Sequence, residues 1–276
     1  VRYSTVNPFC YSMRSSGFKF LFQFLFLATL FLQAPSAWGL NVKLSGKALD
    51  YATNTIVLSK YHDAISEEIV QLGTIKFSGD GSYSLEFDLN ETSFCFASFD
   101  GYWAMIYLEP GKTYELLFPP KRTLTESQKR NPFVKPDPVW LGIARPEKNE
   151  LNVLVQQFEQ SYTTYENKYF DQIFINRNKS LVDTVKNILD KEFGKTASPV
   201  FEAHKLYRKA NLEYALNQGK STEFMEKYFE EEKPKYQLAA YTTLFNQVFL
   251  NYFSLLSNQP IHSGIKKIVD SGALVQ

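Results

Sequence analysis

Three aromatic residues around one turn are the best placed to bind something. Tyr102, Trp103 and Tyr107 lie beside Asp100-Gly101, a turn pair between two apolar runs. Aromatic faces at the rim of a β-fold can stack on sugar rings or receive a protein partner, and the competing reading of the same residues is core packing. Titratable candidates are sparse. His62, His204 and His262 lie far apart, and none has a second ligand three or four residues away, the spacing by which a helix presents two ligands to a metal. His204 reads as a half-buried structural histidine, and His62-Asp63 as part of a turn. Cys95 stands between Phe94 and Phe96, where a lone thiol reads as a small buried hydrophobe. Glu230, Glu231 and Glu232 read as a solvated face at a helix end. There is no Gly-x-Ser-x-Gly elbow and no glycine loop of the phosphate-cradling kind. These residues assign no catalytic, cofactor-binding or metal-binding role. Tyr102, Trp103 and Tyr107 are the candidate ligand or partner surface.

The elements that would carry that surface are short strands. The runs Val42–Leu49, Thr55–Tyr61, Glu68–Phe77, Ser82–Leu89, Ser93–Phe99, Trp103–Leu108 and Thr113–Phe118 are apolar or alternating and bounded by turn residues. Asp80-Gly81 and Asp100-Gly101 are hairpin signals of the kind favoured where both turn residues need positive φ. Pro110-Gly111 suits a type II turn. About seven strands at this spacing predict an antiparallel β-sandwich of the transthyretin or immunoglobulin kind over residues 40–118. Residues 119–149 hold Pro119, Pro120, Pro132, Pro136, Pro138 and Pro146 among cations, which predicts a linker without regular structure. Phe133, Val139, Trp140, Leu141 and Ile143 are too apolar for a free tether, so part of it is expected to pack down.

From Glu150 the apolar period turns helical. Leu151, Leu154, Phe158, Tyr162, Tyr165, Tyr169 and Ile173 form one stripe at steps of three and four. Ser180 with Asp183 resembles a capping box opening a second helix, with apolar positions Leu181, Val185, Ile188 and Leu189 and a stop at Gly194. Ser198-Pro199 opens a third helix that stops at Gly219. A fourth covers about Thr222–Glu231, and a fifth, with a broad apolar face, about Tyr236–Leu256. The predicted class is α+β in two domains: the β-sandwich, then an all-α bundle of about five helices over residues 150–258.

Ahead of these, Met13–Gly39 has the order of a secretory signal peptide. The cations Arg14 and Lys19 precede an apolar run, Phe20–Leu32, and the small residues Ala37 and Gly39 follow Pro35. The run is about 13 residues, short of the roughly 20 that span a membrane. Start at Met13, cleavage after Gly39 and export to the periplasm or beyond are expected, with membrane contact only through the leader before cleavage. The net charge of +1 falls to −2 when Arg2, Arg14 and Lys19 leave. Residues 40–118 carry 5 Lys+Arg against 11 Asp+Glu, and residues 119–276 carry 22 against 18. Neither part has the basic footprint of a nucleic-acid binder. Of the two cysteines, Cys10 lies upstream of Met13, so the exported chain holds Cys95 alone. It forms no internal disulfide and has no Cys-x-x-Cys for dithiol exchange. The tail 259–276 has no capping or stop signal, and the chain is expected to be cut short there.

The stretches Gly46–Tyr51 (GKALDY), Asp80–Tyr83 (DGSY) and Tyr107–Leu116 (YLEPGKTYEL) resemble the N-terminal β-domain of exported thioredoxin-like thiol-disulfide oxidoreductases and their uncharacterised relatives in Gram-negative bacteria. Asn131-Pro132-Phe133, Leu141-Gly142-Ile143 and Glu150-Leu151-Asn152 are similar to their junction with a helical region, and Leu244–Phe249 to the end of that region. In that family the thioredoxin-like domain follows the helices, and no residue here matches its dithiol motif. The resemblance implies a non-catalytic accessory module that docks a protein partner or its own C-terminal domain, without a cofactor. The alternative is a carbohydrate-binding or cell-surface β-sandwich protein that uses Tyr102, Trp103 and Tyr107.

Overall fold

The computed structural model describes residues 39–63, 66–216, 221–230 and 233–257. The expected leader, the tail, Cys10, His262, Gly219, Glu231 and Glu232 lie outside or at gaps in the described residues. The chain is of mixed α+β class, with two sheets built by the N-terminal strands and helices following them.

The described residues form nine strands: β1 Leu40–Lys47, β2 Thr55–Tyr61, β3 Ile69–Lys76, β4 Ser82–Leu89, β5 Ser93–Phe99, β6 Tyr102–Leu108, β7 Thr113–Leu117, β8 Asp137–Trp140 and β9 Gly142–Ile143. One sheet has the order β4-β1-β7-β9, the other β3-β2-β5-β6-β8. Most pairings are antiparallel, but β1–β7 and β6–β8 run parallel. The helices are α1 Glu126–Arg130, α2 Leu151–Lys168, α3 Lys179–Phe193, α4 Pro199–Leu216, α5 Ser221–Met225 and α6 Ala239–Ser257. Wider π-type turns follow α2 and α5, at Asp171–Ile175 and Glu226–Glu230.

The turns show which signals decide strand partnership. Asp100 and Gly101 both take positive φ, 48° and 76°, and join the paired strands β5 and β6 as a two-residue hairpin. At Asp80-Gly81 only Gly81 is positive, at 79°. This turn does not join paired strands: β3 pairs with β2 and β4 with β1, so it passes the chain from one sheet to the other. Gly81 also carries a close approach. Its carbonyl accepts from the Ala48 N–H at 2.8 Å, and a Cβ there would meet Leu49 Cα at 2.6 Å. Gly81→Ala combines a strained φ with a backbone clash and should cost about 2 kcal/mol or more, read as a lower midpoint in urea unfolding.

The expected linker is a structured segment. Its strand β8 extends the five-stranded sheet beside β6, and β9 extends the four-stranded sheet beside β7. Leu141, between them, is buried with residues of both sheets and donates its N–H to Met105 O at 3.0 Å. Proline is tolerated here because β8 is an edge strand, where one side of the backbone needs no partner. The short helix α1 opens with a capping box: Thr125 Oγ1 accepts from the Gln128 N–H, and Gln128 Oε1 accepts from the Thr125 N–H.

Strand alternation on β5 and β6 divides the apolar residues between two clusters. Cys95, Ala97, Ala104, Ile106 and Leu108 join the core shared by the two sheets. Phe94 and Tyr107, with Trp103 and Met105 partly buried, join the core of the helices. Sheets and helices are therefore packed through a common aromatic surface, and residues 39 onward cluster as one unit.

The helix starts follow side-chain caps. Helix α3 is capped by Asn178, whose Oδ1 accepts from Leu181 N–H at 3.1 Å, rather than by a Ser180–Asp183 box. Its buried residues are accordingly Val182, Val185 and Leu189. Gly194 ends it with φ 43°, and buried Lys205 donates from Nζ to the Gly194 carbonyl, a cation at the negative end of a helix. Ser198 Oγ accepts from Phe201 N–H at 3.3 Å, the cap expected before Pro199.

Candidate functional site

Strand alternation separates the three candidate aromatics. Tyr102 lies on the opposite face of β6 from Trp103 and Tyr107. Its hydroxyl donates to Pro120 O at 3.1 Å, and the Arg122 guanidinium lies 4.7 Å from its ring centroid. Arg122 in turn pairs with Asp137 and donates to Gly101 O, so Tyr102 is clasped by the segment that leads to β8.

Tyr107 is fully buried and belongs to the core. It organises two helix starts. Its hydroxyl accepts from the Ala239 N–H at 3.4 Å, where α6 begins. Strand β8 pairs β6 only as far as Met105, and beyond it the Asn152 side chain of α2 takes the place of a strand. The Tyr107 N–H donates to Asn152 Oδ1 at 2.7 Å, and Asn152 Nδ2 donates to Tyr107 O at 2.9 Å and to Glu150 Oε1 at 2.8 Å. Glu150 Oε2 accepts from Val153 N–H at 2.9 Å and so caps α2. Burial of the Tyr107 ring pushes its hydroxyl far above the ordinary tyrosine range.

Of the three, Trp103 lines a cleft. It is half-buried against Phe94 and Phe96, with centroids 6.2 and 6.1 Å away, and Tyr61 packs on Phe96 at 4.6 Å. A cleft of about 230 Å³ lies in front of it, lined also by Tyr61, Glu67, Tyr236 and Asn246. A second cleft of about 440 Å³ adjoins it, lined by His62, Glu91, Val200, Lys233, Lys235 and Leu238 among others. Tyr236 and Gln237 line both. Gln237 holds this region together: its Nε2 donates to Tyr61 O at 3.0 Å and His62 O at 3.1 Å, tying the β2–β3 turn to the approach of α6. His62 serves the turn as expected, with its backbone N–H donating to Glu68 O at 2.7 Å.

A third region, which sequence reasoning missed, lies along α2. A cleft of about 400 Å³ is lined by Trp140, Val153, Gln156, Gln157, Glu159 and Gln160. It shares Gln157 and Gln160 with a cleft of about 670 Å³ that runs on past Ser161 to Glu192, Phe193 and Thr196. Behind Glu159 stand two α4 side chains, the buried His204 and the half-buried Arg208. Glu159 Oε1 accepts from His204 Nε2 at 2.7 Å and Arg208 Nε at 2.8 Å. The Arg208 guanidinium also lies 3.8 Å from the Tyr162 ring centroid. Burial raises the Glu159 pKa, but the His204 hydrogen bond and the Arg208 charge outweigh it, leaving the carboxyl below its ordinary range. His204 is more deeply buried than expected, and the one signal of its role was its position four residues before Arg208.

Cys95 is fully buried, and its Sγ donates to Ser93 O at 3.5 Å. Burial pushes the thiol up to about 12, so it is no nucleophile at neutral pH. Among the described residues no cluster of three His, Cys, Asp or Glu is arranged to hold a metal, and no helix is long and apolar enough to cross a membrane. Compared with family models, curated proteins and solved structures, the chain matches none.

Proposed function

We propose that the chain is an exported, non-catalytic module that docks a protein partner at the paired clefts between the β2–β3 turn and the approach to α6. In this reading the two sheets form a sandwich of the transthyretin or immunoglobulin kind, and the helices from Leu151 form a bundle beside it. The observation that carries the reading is Trp103, half-buried and lining a cleft that continues past Tyr236 into a larger, mainly apolar one. Aromatic anchors in a preformed cleft are what a protein interface uses for most of its binding energy. The larger cleft is lined by Lys233 and Lys235 against one acid, Glu91, a balance that favours an extended segment with apolar side chains and acidic neighbours. The family resemblance makes a thioredoxin-like domain the class of protein to carry such a segment. Export rests on the order of cations, apolar run and small residues in the leader. Strand β1 begins at Leu40, directly after the proposed cleavage at Gly39, which suits a mature chain that starts with its first strand.

Titration with peptides that alternate Leu or Phe with Glu tests the docking. The acidic peptides should perturb the Trp103 indole resonance, and Lys233→Glu with Lys235→Glu should weaken them at least about tenfold. The same peptides with Lys in place of Glu should not bind. Equal binding of both sets, or no change at Trp103, rejects this cleft as the docking site. A carbohydrate reading built on Tyr102, Trp103 and Tyr107 together finds less support, because Tyr107 is enclosed and Tyr102 is clasped.

A further inference from the structure

We infer that the cleft between Trp140 and α2 is a binding site for a neutral saccharide, separate from the protein-docking clefts. The first argument is the chemistry of its lining. Gln156, Gln157 and Gln160 of α2 all line the cleft, and Gln160 is four residues from Gln156 and three from Gln157, the steps at which helical side chains are neighbours. Each primary amide offers two donors and an acceptor on one plane, so three of them can meet a row of hydroxyls that both donate and accept. Trp140 supplies the apolar wall that the C–H face of a sugar ring requires.

The second argument is preorganisation. Tyr107 stacks on the Trp140 indole at 5.9 Å and 26°, and Phe94 meets it edge-on at 6.1 Å, so the ring is held before any ligand arrives. Glu159 is held in the same way from behind. Its Oε1 takes both His204 and Arg208, and among the described residues no hydrogen bond reaches Oε2, while the residue lines the cleft. A fixed carboxylate oxygen with an open valence is an acceptor for a sugar hydroxyl.

The third argument is charge. Among the described residues the only charged group lining the Trp140 cleft is Glu159, and His204 and Arg208 behind it already meet its other oxygen. An anionic ligand would meet a carboxylate with no lysine or arginine lining the cleft to offset it. A neutral polyol uses the amides, the carboxylate and the indole together. The continuation past Gln157 and Gln160 toward Ser161 and Phe193, where Glu192 and Lys195 add one charge of each sign, gives room for more than one ring.

The test is saturation-transfer NMR and calorimetry on the full chain with malto-, cello-, chito- and xylotetraose at millimolar concentration. At least one should bind. Gln156→Ala and Gln160→Ala lie outside the Glu159–His204–Arg208 cluster and should leave the unfolding midpoint unchanged, while each weakens binding about fivefold to tenfold, the loss of one or two hydrogen bonds. Trp140→Phe keeps an aromatic against Tyr107 and should weaken it by a similar factor. Binding of the acidic peptides should be unaffected by the three substitutions, so this site and the docking clefts fail or survive separately. Absence of transfer to all four tetrasaccharides, or binding indifferent to both glutamine variants, overturns the assignment.

Discussion

Replacing Asn152 by Leu should cost the fold about 3 kcal/mol or more, among the largest losses of any single polar substitution in the chain. Leucine has the same branching and the same number of side-chain heavy atoms, so the loss is not a cavity. It comes from Tyr107, whose backbone N–H and C=O are both met by the Asn152 amide in a fully buried site. Removing that amide strands two backbone groups away from water, at about 1–3 kcal/mol each. Asn152→Asp separates the contributions. It keeps an acceptor for the Tyr107 N–H, loses the donor to Tyr107 O, and sets a second carboxylate beside Glu150. Chemical denaturation should rank wild type above both variants, with neither within 1 kcal/mol of it. If Asn152→Leu unfolds at the wild-type midpoint, the helix does not complete the sheet in the way described.

The second large effect is expected at Glu159. Glu159→Ala leaves Arg208 and His204 facing each other in a mostly buried site and should destabilise by about 3 kcal/mol, the usual result of removing one partner from a buried ion pair. Glu159→Gln keeps a carbonyl acceptor for one of the two and should cost less. Joining Glu159→Leu with Arg208→Met should recover part of the loss, because the uncompensated charge goes too. The same pair predicts a pH response. The folded carboxyl of Glu159 is held below its ordinary value of 4.5, so the folded state binds its proton less readily than the unfolded chain. Its stabilisation is complete above that value and is lost as pH falls through the lower folded one. Glu213 adds to the same slope. Burial works against it, but Lys227, Tyr228 and Lys186 bring it down to about 2. Unfolding midpoints should fall steeply from about pH 4.5 toward about pH 2, and Glu213→Gln should flatten that fall.

Much of the strand order could be read from residue types alone. The limits expected for β2, β4 and β5 are those observed, because alternation and turn residues agree at both of their ends. Partnership was less legible. Asp80-Gly81 looks like Asp100-Gly101 in sequence, yet only the second joins paired strands. Whether a turn closes a hairpin or changes sheet depends on where the next strand finds its partner. The strands β8 and β9 were hidden by their prolines, although the apolar Val139, Trp140, Leu141 and Ile143 marked the stretch as one that packs. Asn178 displaced Ser180 as the cap, since either residue type can accept from the first turn.

The candidate surface was legible by residue type and not by direction. A period of two sends Tyr102 one way and Trp103 and Tyr107 the other, a distinction visible in the numbers once β6 is accepted as a strand. The Glu159 cluster was out of reach. His204 and Arg208 share a helix face, but their partner lies 45 residues earlier on another helix, and no local pattern announces such a meeting. The Trp140 site combines that cluster with a strand taken for a linker, so neither half could be recognised alone.

The crossing segment 137–143 also bears on self-association. Without it, β6 would end one sheet and β7 the other, each offering an open row of backbone groups to a second chain. One stretch of seven residues covers both. It presents Pro138, which has no N–H to give, within the new edge at β8, while β9 is only two residues long, too short to template another strand. The prolines that hid the segment in the sequence help to keep the finished sheets from growing.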